Sequence, residues 1–258
     1  MRVMAKREGQ EVEKVAASGA ALGSALDLSS FALESSTLEI RYPFALALWD
    51  RSGKLWQAVQ QRWPDIVPLF ADPKKTDFKT GKSRLVVEFE QARFATSDPH
   101  RSLEQFFKES KEFIELATGH LDIATYKRVG FRLLYFKEFK DRKEAAEAFF
   151  ALNLLRMPDG KKFEIEDPPI NPQYSLRWES EKKGVMLQLR CETRTVDVDP
   201  PPETARFVKP FHNETSGIVF DCDYYTVAPV EPGQVDASEW MKHGVHIITR
   251  DSRYLFGG

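Results

Sequence analysis

The sequence predicts an α+β fold: an antiparallel sheet with helices packed on one face. Two kinds of segment point to it. In Leu38-Glu39-Ile40-Arg41-Tyr42, and in Leu85, Val87 and Phe89 set against Arg84, Glu88 and Glu90, apolar side chains alternate with polar ones at the strand period of two. In others, such as Leu103, Phe106, Phe107, Ser110, Phe113, Ile114 and Ala117, they recur at threes and fours, as on one helix face. Composition agrees, because 258 residues with 42% hydrophobic, 29% charged and 19 Phe supply a core without disulfide or metal support.

Residues 1–35 are rich in Ala, Ser, Gly and Glu, with only a weak apolar pattern at Val12, Val15, Leu22, Leu26, Leu28 and Phe31. They are expected to be a flexible tail that a partner could order. Residues 36–258 are expected to be a single domain. Its first strand runs from Thr37 through Pro43 into the apolar Phe44 to Trp49. Leu55, Trp56, Val59 and Trp63 then sit at helical spacing, and Pro64 falls where a helix stops.

Ala71 to Lys82, with Asp72-Pro73-Lys74-Lys75 and Gly81, has the turn-forming composition of a loop. A long strand to about Ala95 follows, and Ser97-Asp98-Pro99 signals the start of the strongest helix, which runs to Gly119. Ile123 to Phe139 has strand texture, and Arg142 to Leu155, rich in Ala, Glu and Leu, has that of a helix.

Pro158-Asp159-Gly160 opens a loop to Pro172. Tyr174–Trp178, Val185–Val196 and Ile218–Val227 read as three strands, the first two joined by a turn at Glu181-Lys182-Lys183-Gly184. Asp199 to Ser216 is a proline-bearing connector, and Asp236 to Tyr254 a closing helix. The resulting order of strand, helix, strand, helix, strand, helix, three strands and helix suggests two duplicated β-α-β-α halves, 36–120 and 121–258, although few residues match between them.

The charge balance of 37 Lys and Arg against 39 Asp and Glu gives no field that would gather a polyanion or an anionic membrane. Met1 to Gly23 lacks the continuous apolar core of a signal peptide, and no later stretch is apolar for the length of a membrane span. With Cys191 and Cys222 on separate strands and no CxxC pair, a cytoplasmic setting is expected, with no cofactor. Phosphate-loop, GxGxxG and GxSxG patterns do not occur, which disfavours nucleotide hydrolysis and serine-hydrolase chemistry.

Three constellations carry chemistry. Asp221, Asp223 and Tyr225 on the last strand, with His243 on the closing helix, are the candidate catalytic or metal-holding set. Against a metal, Asp221 and Asp223 share one strand face while Cys222 points to the other, and His243 and His246, three apart, share a helical face but lack the four-residue spacing and the Glu of HExxH. Arg41, Arg128 and Arg132 could build an anion site through bidentate contacts; the simpler expectation pairs them with Glu39 and other acids across the sheet. Lys74 and Lys75, with Lys79, Lys82 and Arg84 around Phe78, form a basic loop that could touch phosphate. Glu88 and Glu90 share a strand face, most simply the solvent face, and Trp56 and Trp63, seven apart, mark an apolar seam.

Four stretches carry a resemblance: Leu38-Glu39-Ile40-Arg41-Tyr42, Val129-Gly130-Phe131-Arg132, Ile218-Val219-Phe220-Asp221-Cys222-Asp223-Tyr224-Tyr225, and the closing helix around His243. Through them the chain resembles a sporadically distributed, uncharacterised bacterial protein family of similar length. It departs from the usual pattern with Phe131-Arg132-Leu133-Leu134-Tyr135 where an Arg-Tyr-Ile-Asn type run is common, so no role of that Asn carries over. The resemblance implies a fold, a bacterial origin and an accessory role in a defence-related or mobile gene cluster; it implies no reaction.

The leading expectation is therefore a non-enzymatic binding or assembly subunit that engages another protein of the same system through a sheet face or residues 1–35. One alternative is a small-ligand or metal-dependent enzyme or sensor with a pocket between the last strand and the closing helix. Another is a nucleic-acid-binding accessory using the Lys74 to Arg84 loop with Arg128 and Arg132.

Overall fold

The computed structural model describes residues 26–72, 74–155, 165, 169–198 and 211–256. The strands are β1 (Ala32–Arg41), β2 (Val67–Asp72), β3 (Lys75–Thr80), β4 (Ser83–Glu88), β5 (Gln91–Thr96), β6 (Arg128–Phe139), β7 (Gln173–Glu179), β8 (Lys183–Val198) and β9 (Phe211–Thr226). The helices are α1 (Ala47–Arg62), α2 (Leu103–Leu121), α3 (Arg142–Ala151) and α4 (Ala237–Asp251). All nine strands form one antiparallel sheet in the order β2-β3-β4-β5-β1-β6-β9-β8-β7.

Strand alternation puts every helix on the same side. From β6, Phe131 meets Phe106 and Phe107 of α2 at ring separations of 6.2 and 6.0 Å. From β9, Tyr224 stacks on Trp240 of α4 at 4.4 Å, and from β8 the Cys191 thiol reaches the Ala145 carbonyl of α3 at 3.4 Å. The expected tryptophan seam is here too: Trp56 of α1 stacks on Phe78 at 5.1 Å, and Trp63 lies 6.4 Å from Phe94.

Side-chain caps set the helix starts. Ser102, Asp141 and Asp236 accept from the backbone N–H of Gln105, Glu144 and both Ser238 and Glu239. Helix α2 therefore begins at Leu103, five residues beyond the expected signal at Asp98, and runs through Gly119 to a left-handed Asp122 with φ 53°.

Several boundaries differ from expectation. The chain joins the core before residue 36, because Leu26 and Phe31 are buried and β1 begins at Ala32; residues 1–25 lie outside the described residues. Phe44 to Trp49 does not continue β1: helix α1 starts at Ala47, where Leu48 opens the buried row continued by Leu55 and Val59. The stretch Ala71 to Lys82, expected as a loop, holds the end of β2, a tight turn at Asp72 and all of β3. The long strand to Ala95 is two, β4 and β5, paired across a turn at Phe89 and Glu90 that puts Glu88 and Glu90 on no common strand face. The sheet order by itself does not show a duplication.

Helix α4 packs close on the sheet at Gly244, where a Cβ would lie 2.8 Å from Cδ1 of Phe131 and 3.1 Å from Cδ1 of Tyr224. Gly244→Ala gains about 1 kcal/mol of helix propensity. It loses more to overpacking, whose cost is about 1–3 kcal/mol. The expected net result is a destabilisation of about 1 kcal/mol by urea unfolding, and unchanged stability would place α4 farther from β6 than described.

Candidate functional site

The side of the sheet opposite the helices is where the predicted polar residues converge. Alternation along β6 and β9 sends Phe131, Leu133, Phe220, Cys222 and Tyr224 to the helices, and Arg128, Gly130, Arg132, Asp221, Asp223 and Tyr225 to the other side. The register sets Arg132 opposite Asp223 and Leu134 opposite Asp221, so Arg132 reaches Asp221 diagonally, while Arg128 reaches Asp223 along its own strand past Gly130. Arg132 makes a two-pronged contact with Asp221, Nε to Oδ1 at 2.7 Å and Nη2 to Oδ2 at 2.5 Å. Arg128 donates through Nη2 to Asp223 and lies 3.5 Å from Glu39 of β1, which also holds Arg41 at 2.7 Å.

Two glycines make room for this layer. A Cβ at Gly130 would lie 2.5 Å from Nη1 of Arg128, so only glycine lets that guanidinium lie flat along the strand. A Cβ at Gly184 would lie 2.5 Å from Cζ of Tyr225. The Tyr225 ring, seated there, carries Arg128 over its face at 4.6 Å. Its hydroxyl donates to Glu179 at 2.8 Å and accepts from Arg177 Nε at 2.9 Å.

The network continues across β8. Arg190 Nη1 is 3.5 Å from Asp221 Oδ2, and Glu192 accepts from both Arg190 and Arg194. Arg194 then joins Glu34 of β1 at 2.5 Å and lies over the Phe136 ring at 4.2 Å. On this side Asp221 is 3% exposed and Val219 0%, although no helix among the described residues covers them. Arg132 and Arg190, both on Asp221, lie over its carboxylate.

Burial and pairing act on the carboxylates in opposite directions. Desolvation raises the Asp223 pKa above the ordinary carboxylate value, opposed by Arg128. Asp77, on the same sheet face in β3, is lowered, chiefly by its hydrogen bonds from Arg84. A carboxyl whose folded pKa lies below its unfolded value contributes stability above the unfolded pKa and loses it as pH falls through the folded one. Asp77→Asn is therefore expected to flatten the loss of stability with acid below about pH 4. Urea unfolding at stepped pH reads this, and an unchanged slope would show that Asp77 is not a contributor.

Arg128, Arg132, Asp221, Asp223 and Tyr225 thus come together, with Arg41 joined through Glu39. Lys75 belongs to a separate cluster, 3.1 Å from Glu88 and 4.0 Å from Asp77. Lys74 lies at the β2–β3 turn and shares with Arg41, Phe44, Glu88 and Glu90 a shallow pocket of about 430 Å³. His243 is not part of the arrangement: it lies on α4, on the far side of the sheet, edge-on to Tyr224 at 5.8 Å. The open depression of about 780 Å³ it lines includes Tyr224, Trp240 and Lys182 but none of Asp221, Asp223 and Tyr225. The expected pocket uniting those residues with His243 is therefore corrected, since odd and even positions of β9 face opposite ways.

Arg177, Glu179, Arg190, Glu192, Arg194 and Glu34 were missed as site residues. Their signal was the spacing by twos of Arg190, Glu192 and Arg194 along the strand already expected from Val185 to Val196. Among the described residues no group of three His, Cys, Asp or Glu side chains is arranged to hold a metal, and no helix is long and apolar enough to cross a membrane. Both central carboxylates already accept from arginines, whereas Arg132, Arg84 and Arg41 keep about half of their side-chain surface open, at 50%, 52% and 55%. No protein-family model and no curated protein matches the chain.

Proposed function

We infer that the protein is a binding or assembly subunit of a bacterial multi-protein system, engaging another protein through the helix-free face of its sheet. The observation that carries this reading is a face nine strands wide that no helix among the described residues covers, on which arginines and carboxylates are held in fixed, mutually paired positions. Fixed charges of both signs give register and discrimination to a protein contact. They suit nucleic acid less well, because Arg128, Arg132 and Lys75 already face carboxylates that offset the attraction for phosphate.

The test is affinity purification of the full chain at native expression from its host, with mass spectrometry of co-eluting proteins. Thr37→Arg with Gln188→Arg adds bulk and charge to the face and removes none of the ion pairs described. A stoichiometric partner held by the wild type and lost by this folded double variant is expected. A partner held equally by both, or lost only when residues 1–25 are deleted, would overturn the assignment to the sheet face; an unaccompanied wild-type monomer would overturn the assembly role.

A further inference from the structure

The depression between the N-terminal half of α4 and the β7–β8 turn holds hydrogen-bonding groups that the fold leaves unused. Its volume is about 780 Å³, and Tyr224, Trp240, His243, Val235, Lys182 and Lys183 line it. Tyr224 is 1% exposed, with its ring stacked on Trp240 and His243 edge-on to it. Tyr42 and Tyr126, comparably buried, bond through their hydroxyls to the Glu88 carbonyl and the Thr118 hydroxyl, both at 2.7 Å. The Tyr224 hydroxyl has no such partner among the described residues and is not sealed from solvent, so the small open part of this residue is its polar end, in the depression. Burial raises its pKa, so the hydroxyl stays protonated and presents a donor. Beside it, the buried Trp240 Nε1–H also has no acceptor among the described residues.

The charges around the depression favour an acid. Its carboxylates on α4 are engaged: Asp236 holds Lys111 at 2.6 Å and caps the helix, and Glu239 holds Lys242 at 2.7 Å. Lys182 and Lys183 have no ion-pair partner among the described residues, and Glu181 on the same turn offsets only one of them. The turn that carries them is fixed, since the Lys182 carbonyl accepts from the Val227 N–H at 3.0 Å and the Lys183 carbonyl from that of Ser180 at 2.8 Å.

We propose that this depression binds a small organic acid, its carboxylate received by the Tyr224 hydroxyl and the Lys182–Lys183 pair and its apolar body lying against Trp240 and Val235. Small-molecule sites have this character: concave and mostly apolar, with a few placed polar groups that fix orientation. The depression lies on the opposite side of the sheet from the charged face, so the proposal stands or falls independently of the proposed function.

The experiment follows the indole N–H resonances of the ¹⁵N-labelled full chain as naphthalene-2-carboxylate is added, with that of Trp240 assigned from its absence in Trp240→Phe. A saturable shift of the Trp240 resonance in the millimolar range is expected, with Trp178 unmoved. The neutral isostere naphthalene-2-carboxamide should bind about tenfold more weakly, equivalent to about 1.4 kcal/mol. The carboxylate should lose a similar factor in the Lys182→Gln, Lys183→Gln double variant and in Tyr224→Phe, whose Tm should stay unchanged because the hydroxyl bonds to nothing else described. Absence of saturation, equal binding of the carboxamide, unchanged affinity in either variant, or a shift centred on Trp178 would overturn the proposal.

Discussion

Phe131→Ala is expected to cost about 3–5 kcal/mol, the largest effect of any single substitution considered. Phe131 is 0% exposed at the centre of β6 and touches Phe106 and Phe107 of α2 and the α4 backbone at Gly244. Truncation opens a cavity that neither helix can fill without moving, because both are held at their N-termini by capping side chains, Ser102 and Asp236. The midpoint of urea unfolding should fall with little change in slope. A loss below about 1 kcal/mol would mean that α2 and α4 do not meet over β6.

The residues flanking Phe131 explain what the sequence made legible. Val129, Phe131, Leu133 and Tyr135, interspersed with Lys127, Arg128 and Arg132, have the bulk that identified a strand; the α+β class with an antiparallel sheet followed from such strands together with the helical spacing of segments such as Leu103 to Ala117. Breaks inside one texture were harder to read. Phe89 and Glu90 turn the chain between β4 and β5 with neither Gly nor Pro, so two strands read as one. Conversely, Asp72-Pro73-Lys74-Lys75 has loop composition, but Asp72 accepts from the backbone N–H of Lys74 and Lys75, and β2 pairs directly with β3.

The candidate site was half legible for a related reason. Alternation placed Asp221 and Asp223 together and away from Cys222, and pairing of Arg41, Arg128 and Arg132 with acids across the sheet was the simpler expectation. Which acid each would meet depends on strand neighbours distant in sequence, such as β6 beside β9, and on the glycines that let Arg128 and Tyr225 lie flat. Proximity in sequence order misplaced His243, because the helix after β9 returns on the opposite side of the sheet.

The charged layer yields the second large effect. Asp221→Ala is expected to destabilise by about 2 kcal/mol, below the 3–5 kcal/mol of a fully buried pair, because Arg132 keeps half of its side chain in water. The loss arises less from the missing attraction than from what remains: Arg132 loses its two-pronged acceptor, and Arg190 one of its two carboxylates. Arg132→Met in the same chain removes the guanidinium left without a partner but keeps an aliphatic stem on the sheet face, so the double variant should recover part of the loss. A double-mutant cycle by urea unfolding reads that coupling, and strict additivity would show that Arg132 and Asp221 do not interact. If the pair also sets the register of a docked protein, the double variant should regain stability and still lose the partner, because packing can be restored with methionine but a charge pattern cannot.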